Sequence, residues 1–161
     1  MKSKLRSVFS GFSLMEIMVG LVIISLLFTV ALVSFNSLNK KKDLQVESEA
    51  VKQDIYLMQS RAVTNLRTQR FVILTNTSYQ LEEDTTGVGN WSITTTSRSF
   101  KPGVYFYGYT GKENKLWYET SGLPNFNGQS ASPFFSLIYN STNEKKDLNV
   151  DSSGIVSIVT N

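Results

Sequence analysis

The chain contains no cysteine and no histidine, and each absence restricts its chemistry. Without cysteine it forms no disulfide and offers no thiolate to a metal ion. Without histidine it lacks the commonest general base and metal ligand, so Ser-His-Asp and Cys-His catalysis are excluded. A carboxylate-based site stays open on composition alone. We expect a protein that is not an enzyme, with no catalytic residues, no metal site and no cofactor.

Excess charge of one sign is confined to the N-terminus. The chain has 16 Lys and Arg against 13 Asp and Glu, a net charge of +3. Lys2, Lys4 and Arg6 lie within the first six positions, and the rest of the chain is formally neutral. The positive charge that would attract nucleic acid or another acidic partner therefore belongs to a short N-terminal segment.

Glycine and proline are absent from residues 21–86, so nothing there forces a helix to break. An apolar run from Phe12 to Phe35 contains one charged residue, Glu16, and the 19 residues Ile17–Phe35 are uncharged. As a helix those residues span about 28 Å, close to the ~30 Å hydrocarbon core of a bilayer. The run predicts a transmembrane helix, because it is too long for a secretory signal peptide and no A-x-A-like cleavage site follows it.

The next segment, residues 36–66, is predicted to continue the same helix with one apolar face. Its apolar positions recur at the spacing of an amphipathic helix. These positions are Leu44, Val51, Ile55, Met58, Ala62 and Leu66. We therefore expect one helix from about residue 13 to 65, whose second half packs against the rest of the fold.

Residues 67–161 are predicted to be β-rich. Short runs rich in β-branched and aromatic residues alternate with turn-forming clusters. The eight runs are RFVILT, SYQLEE, WSITTT, GVYFYGY, KLWYET, FFSLIYN, KDLNVD and GIVSIVT. The prediction is an α+β fold, in which a long N-terminal helix, half membrane-spanning and half amphipathic, packs on a C-terminal antiparallel β-sheet or β-sandwich head.

Two local patterns in the β-rich region have more than one interpretation. Alternation predicts that Tyr105, Tyr107 and Tyr109 share one strand face. We interpret this face as packed in the core or on a neighbour, rather than as a platform that stacks sugars or bases. The acidic run Glu82–Asp84 lacks the D-x-[DN]-x-[DN]-G spacing of a calcium loop and predicts a solvated turn.

The start of the apolar run carries the most informative motif. Gly11 stands between the basic segment and the run, and Glu16 lies five positions later. Ser13-x-x-Glu16 fits a helix capping box. A carboxylate within a membrane segment is nevertheless costly, at about 2.5 kcal/mol or more near the helix centre and less near its end. Glu16 therefore either caps the helix or meets a positive charge in the same apolar layer.

The string GFSLME from Gly11 to Glu16, followed by an apolar run, resembles the class III signal of type IV prepilins and type II secretion pseudopilins. The resemblance implies that prepilin peptidase cleaves between Gly11 and Phe12 and that Phe12 is then N-methylated. It also implies that Glu16 pairs with the terminal amine of a neighbouring subunit. Val33 stands where major pilins often have proline, which argues mildly against a major pilin.

The same resemblance implies a location and partners. The leader would face the cytoplasm and the head the periplasm, with one pass through the inner membrane before entry into a pilus or pseudopilus. The partners would be prepilin peptidase, other pilin or pseudopilin subunits and an inner-membrane assembly platform. The expected divisions are residues 1–11 as a cleaved leader, 12–35 as a transmembrane and assembly helix, 36–66 as its amphipathic half and 67–161 as a periplasmic head.

Several segments after the membrane-spanning half are similar to those of GspH/FimT-type minor pseudopilins. They are Met58–Thr64, Arg70–Leu74, the strand around Tyr79, Leu116–Pro124 and Leu148–Val156. Gly122 and Gly154, within the last two segments, are predicted to form tight turns.

Two functions remain open: a minor pilus or pseudopilus subunit, or a tip-located module that captures DNA or an exported substrate. Arg67 and Arg70 are the candidate residues for a weak DNA patch, which folding would enlarge with Arg61 and Arg98. The head has no basic tract longer than Lys145–Lys146, which disfavours nucleic acid as a partner.

Overall fold

The computed structural model describes residues 13–94, 97–109, 113–126, 135–140 and 144–161. The chain divides into two compact units, Met1–Leu38 and Asn39–Asn161. Helix α1 extends from Leu14 to Asn65 and so contributes residues to both units. The single long helix predicted from the absence of glycine and proline is therefore confirmed.

The apolar stripe of α1 is confirmed at all but its last position. Five of its residues are buried in the second unit: Leu44, Val51, Ile55, Met58 and Ala62. The prediction was wrong for Leu66, whose side chain is 72% exposed. Leu66 follows the helix in a left-handed conformation, with φ of 52°, and the Arg67 amide donates to the Ala62 carbonyl at 3.2 Å. This is a Schellman-type end, which turns the chain out of the helix and carries Leu66 away from the stripe.

The described residues after the helix form ten strands. They are β1 (Gln69–Thr75), β2 (Ser78–Asp84), β3 (Trp91–Ile93), β4 (Arg98–Ser99), β5 (Val104–Phe106), β6 (Glu113–Tyr118), β7 (Pro124–Asn125), β8 (Phe135–Tyr139), β9 (Lys145–Val150) and β10 (Val156–Thr160). All eight predicted runs contain a strand. The two strands not predicted, β4 and β7, have two residues each and are too short to show an alternating pattern.

The strands form two antiparallel sheets, which resolves the choice between one sheet and two. The first has the order β3-β2-β1-β6-β7, with β4 also paired to β2, and the second has the order β10-β9-β8-β5. In the first sheet Arg70 of β1 lies opposite Glu82 of β2 and Trp117 of β6. Directly opposed residues project from the same face of a sheet, so these three side chains share one face.

The core of the second unit lies between α1 and the two sheets. Phe71 stacks on Tyr79 and on Phe135, with ring centroids 4.7 and 5.4 Å apart, and so joins the first sheet to the second. On the helix, Asp54 accepts a hydrogen bond from the buried Tyr79 hydroxyl at 2.8 Å. Gln59 donates to the Gly122 carbonyl at 3.1 Å. These hydrogen bonds between α1 and the β-rich region thus supplement the apolar packing of the core.

Gly122 and Gly154 form the tight turns expected of them. Their φ angles are 77° and 88°, in the left-handed region that side chains other than glycine rarely adopt. A Cβ atom on Gly154 would also lie 2.6 Å from Nε2 of Gln59, so the turn comes close to α1. Gly154 is therefore a packing residue as well as a turn residue.

Candidate assembly helix and head surfaces

Ser13 caps the first turn of α1 without using the Glu16 carboxylate. The Ser13 hydroxyl accepts a hydrogen bond from the Glu16 backbone amide at 3.2 Å, and its carbonyl accepts one from the Ile17 amide at 3.2 Å. The serine half of the capping box is therefore formed. Within the described residues the Glu16 carboxylate makes no hydrogen bond or ion pair, and it lies exposed on the helix. Gly11 and Phe12 lie outside the described residues.

The first unit presents apolar side chains on every side of its helix. All the large hydrophobic residues described between Leu14 and Leu38 are exposed, among them Ile24 at 59%. By length and composition the helix is able to cross a membrane. Exposed apolar surface of this extent is unfavourable in water and marks a surface that contacts lipid or other protein. An exposed carboxylate thus lies at the start of an apolar helix that packs against no other described residue of the first unit.

The structure pairs three of the four arginines proposed for a DNA patch with carboxylates. Arg67 binds Glu83 at 2.8 Å, Arg70 binds Glu82 at 2.5 Å and Arg98 binds Asp54 at 3.2 Å. Arg61, on α1, has its Nη1 atom buried without a hydrogen-bond partner. An adjacent carboxylate largely cancels the attraction of a guanidinium for phosphate. The fold therefore gathers ion pairs at these positions and leaves little excess positive charge.

The acidic run Glu82–Asp84 is not a solvated turn, and that prediction was wrong. All three residues belong to β2 and are buried. Their carboxylates accept hydrogen bonds from arginines, amides or loop backbone, which offset the cost of burial. A pattern of three consecutive acidic residues cannot reveal partners that lie elsewhere in the chain. No group of acidic side chains that could hold a metal ion occurs among the described residues.

Hydrogen bonds control the ionisation of Glu83. Burial by itself would raise the pKa of its carboxyl group, but hydrogen bonds from Gln69, Arg67 and Asn65 outweigh burial and lower the pKa below its ordinary value. The donors approach to 2.8, 2.8 and 3.3 Å respectively. Glu83 therefore remains a carboxylate and holds the end of α1 against β1 and β2.

The three tyrosines near β5 do not share one face. β5 ends at Phe106, and Tyr107 follows it in a turn with 59% of its surface exposed. Tyr109 instead packs on the core, and its hydroxyl donates to the Leu74 carbonyl at 2.8 Å. The predicted alternation fails because the strand is too short to sustain it.

Sequence reasoning missed a half-buried aromatic surface of the head. Trp91 and Trp117 are the two tryptophans of the chain, and both line one open groove of about 450 Å³. The remaining described lining residues are Thr68, Glu119, Thr120 and Asn125. The available signal was the presence of two tryptophans in runs of mostly polar residues, but their sequence separation gave no indication that they meet.

The fold is that of minor pseudopilins. Two solved structures of the minor pseudopilin EpsH from the type 2 secretion system of Vibrio cholerae are similar to this chain, with TM-scores of 0.56 and 0.54. The first matches 73% of this chain and 96% of its own length at 12% identity, and the second 74% and 94% at 13%. No family model and no curated protein matches the sequence. The chain therefore has an α+β, pilin-like fold in common with proteins to which its sequence has little similarity.

Proposed function

We propose that this chain is a minor pseudopilin-like subunit of a type II secretion pseudopilus or a type IV pilus. The observation that carries the proposal is the combination of a pilin-like fold with an all-round apolar helix that begins at the GFSLME motif. A soluble structural domain has no need for such a helix. A subunit that is first anchored in a membrane and then joins a helical bundle needs an apolar helix of this kind, because lipid and neighbouring helices can each cover its surface.

The chemistry of assembly follows from the first turn. Cleavage between Gly11 and Phe12 creates a new amine at Phe12, which is then methylated and lies four residues before Glu16. The Ser13 cap leaves the Glu16 carboxylate exposed, so it can approach the amine of an adjacent subunit. In an apolar layer each charge is costly alone, and pairing removes much of that cost. The pair would therefore select the axial position at which neighbouring helices pack.

The proposed route begins in the inner membrane. The leader lies in the cytoplasm, where prepilin peptidase acts, and the unit Asn39–Asn161 lies in the periplasm. An inner-membrane assembly platform then transfers the mature subunit into the filament. Non-enzymatic, structural function is consistent with the absence of histidine and cysteine.

Intact mass tests the processing step. The mature protein should begin at methylated Phe12 and lack 11 of the 161 residues of the 18.1 kDa chain, a loss of about 1.2 kDa. Gly11→Val should retain the leader, because a bulky side chain prevents close approach of the peptidase to the scissile carbonyl. Gly20→Val is the matched control, since a Cβ there meets no atom within 4 Å. A wild-type chain that keeps its leader in cells with active prepilin peptidase contradicts the proposal.

DNA capture is the alternative, and it has a separate test. Because Arg67 and Arg70 are paired with Glu83 and Glu82, we expect the full-length chain in detergent to bind random duplex DNA weakly, if at all, near 150 mM salt. A salt titration measured by fluorescence anisotropy decides this. Low-micromolar binding that is lost when Arg67 and Arg70 are both replaced by alanine would instead establish DNA capture by the head.

A further inference from the structure

The groove between Trp91 and Trp117 lies on the outward face of the first sheet. Trp117 of β6 stands directly opposite Arg70 of β1, and Trp91 of β3 reaches over the sheet to the Arg70 guanidinium, whose carbon lies 3.9 Å from the ring centroid. Both tryptophans are only partly buried. Tryptophan is a large apolar residue that normally contributes to a core. Here the two instead flank an open groove of a size typical for small ligands.

Arg70 holds one wall of this groove in place. Its Nε atom donates to Glu82 at 2.6 Å while the guanidinium carbon lies over the Trp91 ring. The arginine side chain is only 17% exposed, so it is committed to these two partners rather than free to bind an anion. Because the ion pair fixes the guanidinium, the stacked indole ring is fixed as well. Arg70 is therefore a positioning residue for Trp91.

The other wall carries short polar side chains. Asn125 of β7 is opposite Trp117 and donates a hydrogen bond to the Glu119 carboxylate at 3.0 Å. Thr68 and Thr120, whose side chains carry hydroxyl groups, also line the groove. A carboxylate accepts hydrogen bonds, and hydroxyls both donate and accept them. The groove therefore combines flat aromatic surface with closely spaced hydrogen-bonding groups.

A second depression borders the groove at the two threonines. This depression, of about 250 Å³, shares Thr68 and Thr120 with the first. Its other lining residues are Leu66, Arg67, Asp84, Thr85, Thr86, Gly87. The Asp84 carboxylate orders this end by accepting backbone hydrogen bonds from Thr86, Gly87 and Gly89 at 3.1, 3.0 and 2.9 Å. Two neighbouring depressions with two lining residues in common suit an extended ligand of more than one repeating unit.

We propose that this groove binds a neutral oligosaccharide. The flat C–H face of a pyranose ring packs on indole, and its hydroxyls match the carboxylate, amide and threonine groups. Nucleic acid fits less well, because Glu119 repels phosphate and the two arginines nearby are paired with carboxylates. This inference concerns the surface of the second unit and does not depend on the proposed assembly function.

The two tryptophans provide the measurement, because both lie in the groove and their emission, excited selectively over that of the seven tyrosines, reports on it. The full-length protein is kept in a zwitterionic detergent, since a maltoside headgroup would itself compete. Chitotetraose and cellotetraose are the probes. We expect a saturable change in tryptophan fluorescence for at least one of them, with a dissociation constant of about 1 mM or tighter.

Three variants test the site. Trp117→Ala should weaken binding about tenfold, as expected for loss of an aromatic anchor. Glu119→Ala, at an exposed position where folding is not at stake, should weaken it about threefold by removing an acceptor. Arg70→Ala should weaken it while shifting the Trp91 emission of the free protein, which marks a positioning role. Tyr107→Ala, an exposed aromatic outside the groove, is the matched control and should leave the dissociation constant unchanged.

Defined results overturn the proposal. The proposal is wrong if neither tetrasaccharide gives a saturable change in fluorescence. It is also wrong if Trp117→Ala and Glu119→Ala both leave the dissociation constant unaltered. If Trp117→Ala does not fold, Trp117→Phe and Glu119→Ala decide the question together. Tighter binding of an extended peptide or of duplex DNA than of either sugar would reassign the groove to that ligand.

Discussion

The two halves of helix α1 have similar backbones and opposite surroundings. Ile24 in the first half is 59% exposed, whereas Ile55 in the second half is 0% exposed. The first half is apolar on every side and packs against none of the other residues described in its unit, while the second has one apolar stripe, which the β-sheets cover. A uniform helix therefore serves two purposes: the first half depends on partners outside the chain and the second on partners within it.

The largest expected effect concerns the first half. Glu16→Gln should leave cleavage and membrane insertion normal but sharply reduce incorporation into filaments, because a buried unpaired amine costs about 3–5 kcal/mol. Incorporation is measured as the fraction of subunit in sheared filaments. Ser13→Ala is the matched control: it removes the cap, at a cost of about 1 kcal/mol of helix stability, and leaves the carboxylate intact.

These two variants separate the two interpretations of Glu16. If the residue only supports the cap, Ser13→Ala should impair assembly at least as much as Glu16→Gln. Full incorporation of Glu16→Gln would show that assembly does not need the charge of Glu16, because glutamine is similar in size but neutral.

A matched pair of isoleucine substitutions tests the comparison directly. Ile55→Ala should lower the free energy of unfolding of the second unit by about 2–5 kcal/mol, since it leaves a cavity in the core. Ile24→Ala should change it by less than about 0.5 kcal/mol. Urea unfolding in detergent, followed by tryptophan fluorescence, measures both. Equal losses would mean that the two halves of α1 share one set of stabilising contacts.

The smallest effect concerns acid stability of the second unit. Because the pKa of Glu83 is lowered on folding, its contribution to stability is present above its ordinary pKa of 4.5 and is lost as the pH falls through the folded value. Glu83→Gln should therefore show a smaller fall in unfolding free energy between about pH 5 and about pH 3. Asp84 and Asp151, whose pKa values are also lowered by hydrogen bonds that outweigh burial, retain their own acid dependence in both proteins.

The control for acid stability is Glu49→Gln, at a half-buried position of α1 where the carboxylate accepts a hydrogen bond from the Gln45 side chain at 3.0 Å. The unfolding free energy of Glu49→Gln should fall with decreasing pH in the same way as that of the wild type. A Glu83→Gln profile as steep as the wild type would show that other carboxylates dominate acid unfolding.

The sequence by itself determined the elements that depend on local pattern. The uninterrupted helix, its apolar half, its stripe through Ala62 and the eight principal strands all follow from the spacing of apolar residues and from the positions of glycine and proline. The GFSLME motif also required no structure, because its residues are adjacent in the chain. Sequence reasoning succeeded where each residue and its determining neighbours lie within a few positions.

Tertiary structure decided which side chains meet. The burial of Glu82–Asp84, the pairing of Arg67 and Arg70 with those carboxylates and the exposure of Leu66 all depend on how the chain turns from α1 into β1 and β2. The meeting of Trp91 with Trp117 depends on strand order, because β2, β1 and β6 must pair before the two rings share a face. Charge and aromaticity are visible in a sequence, but the free energy of a charge or an exposed ring is set by neighbours that only folding supplies.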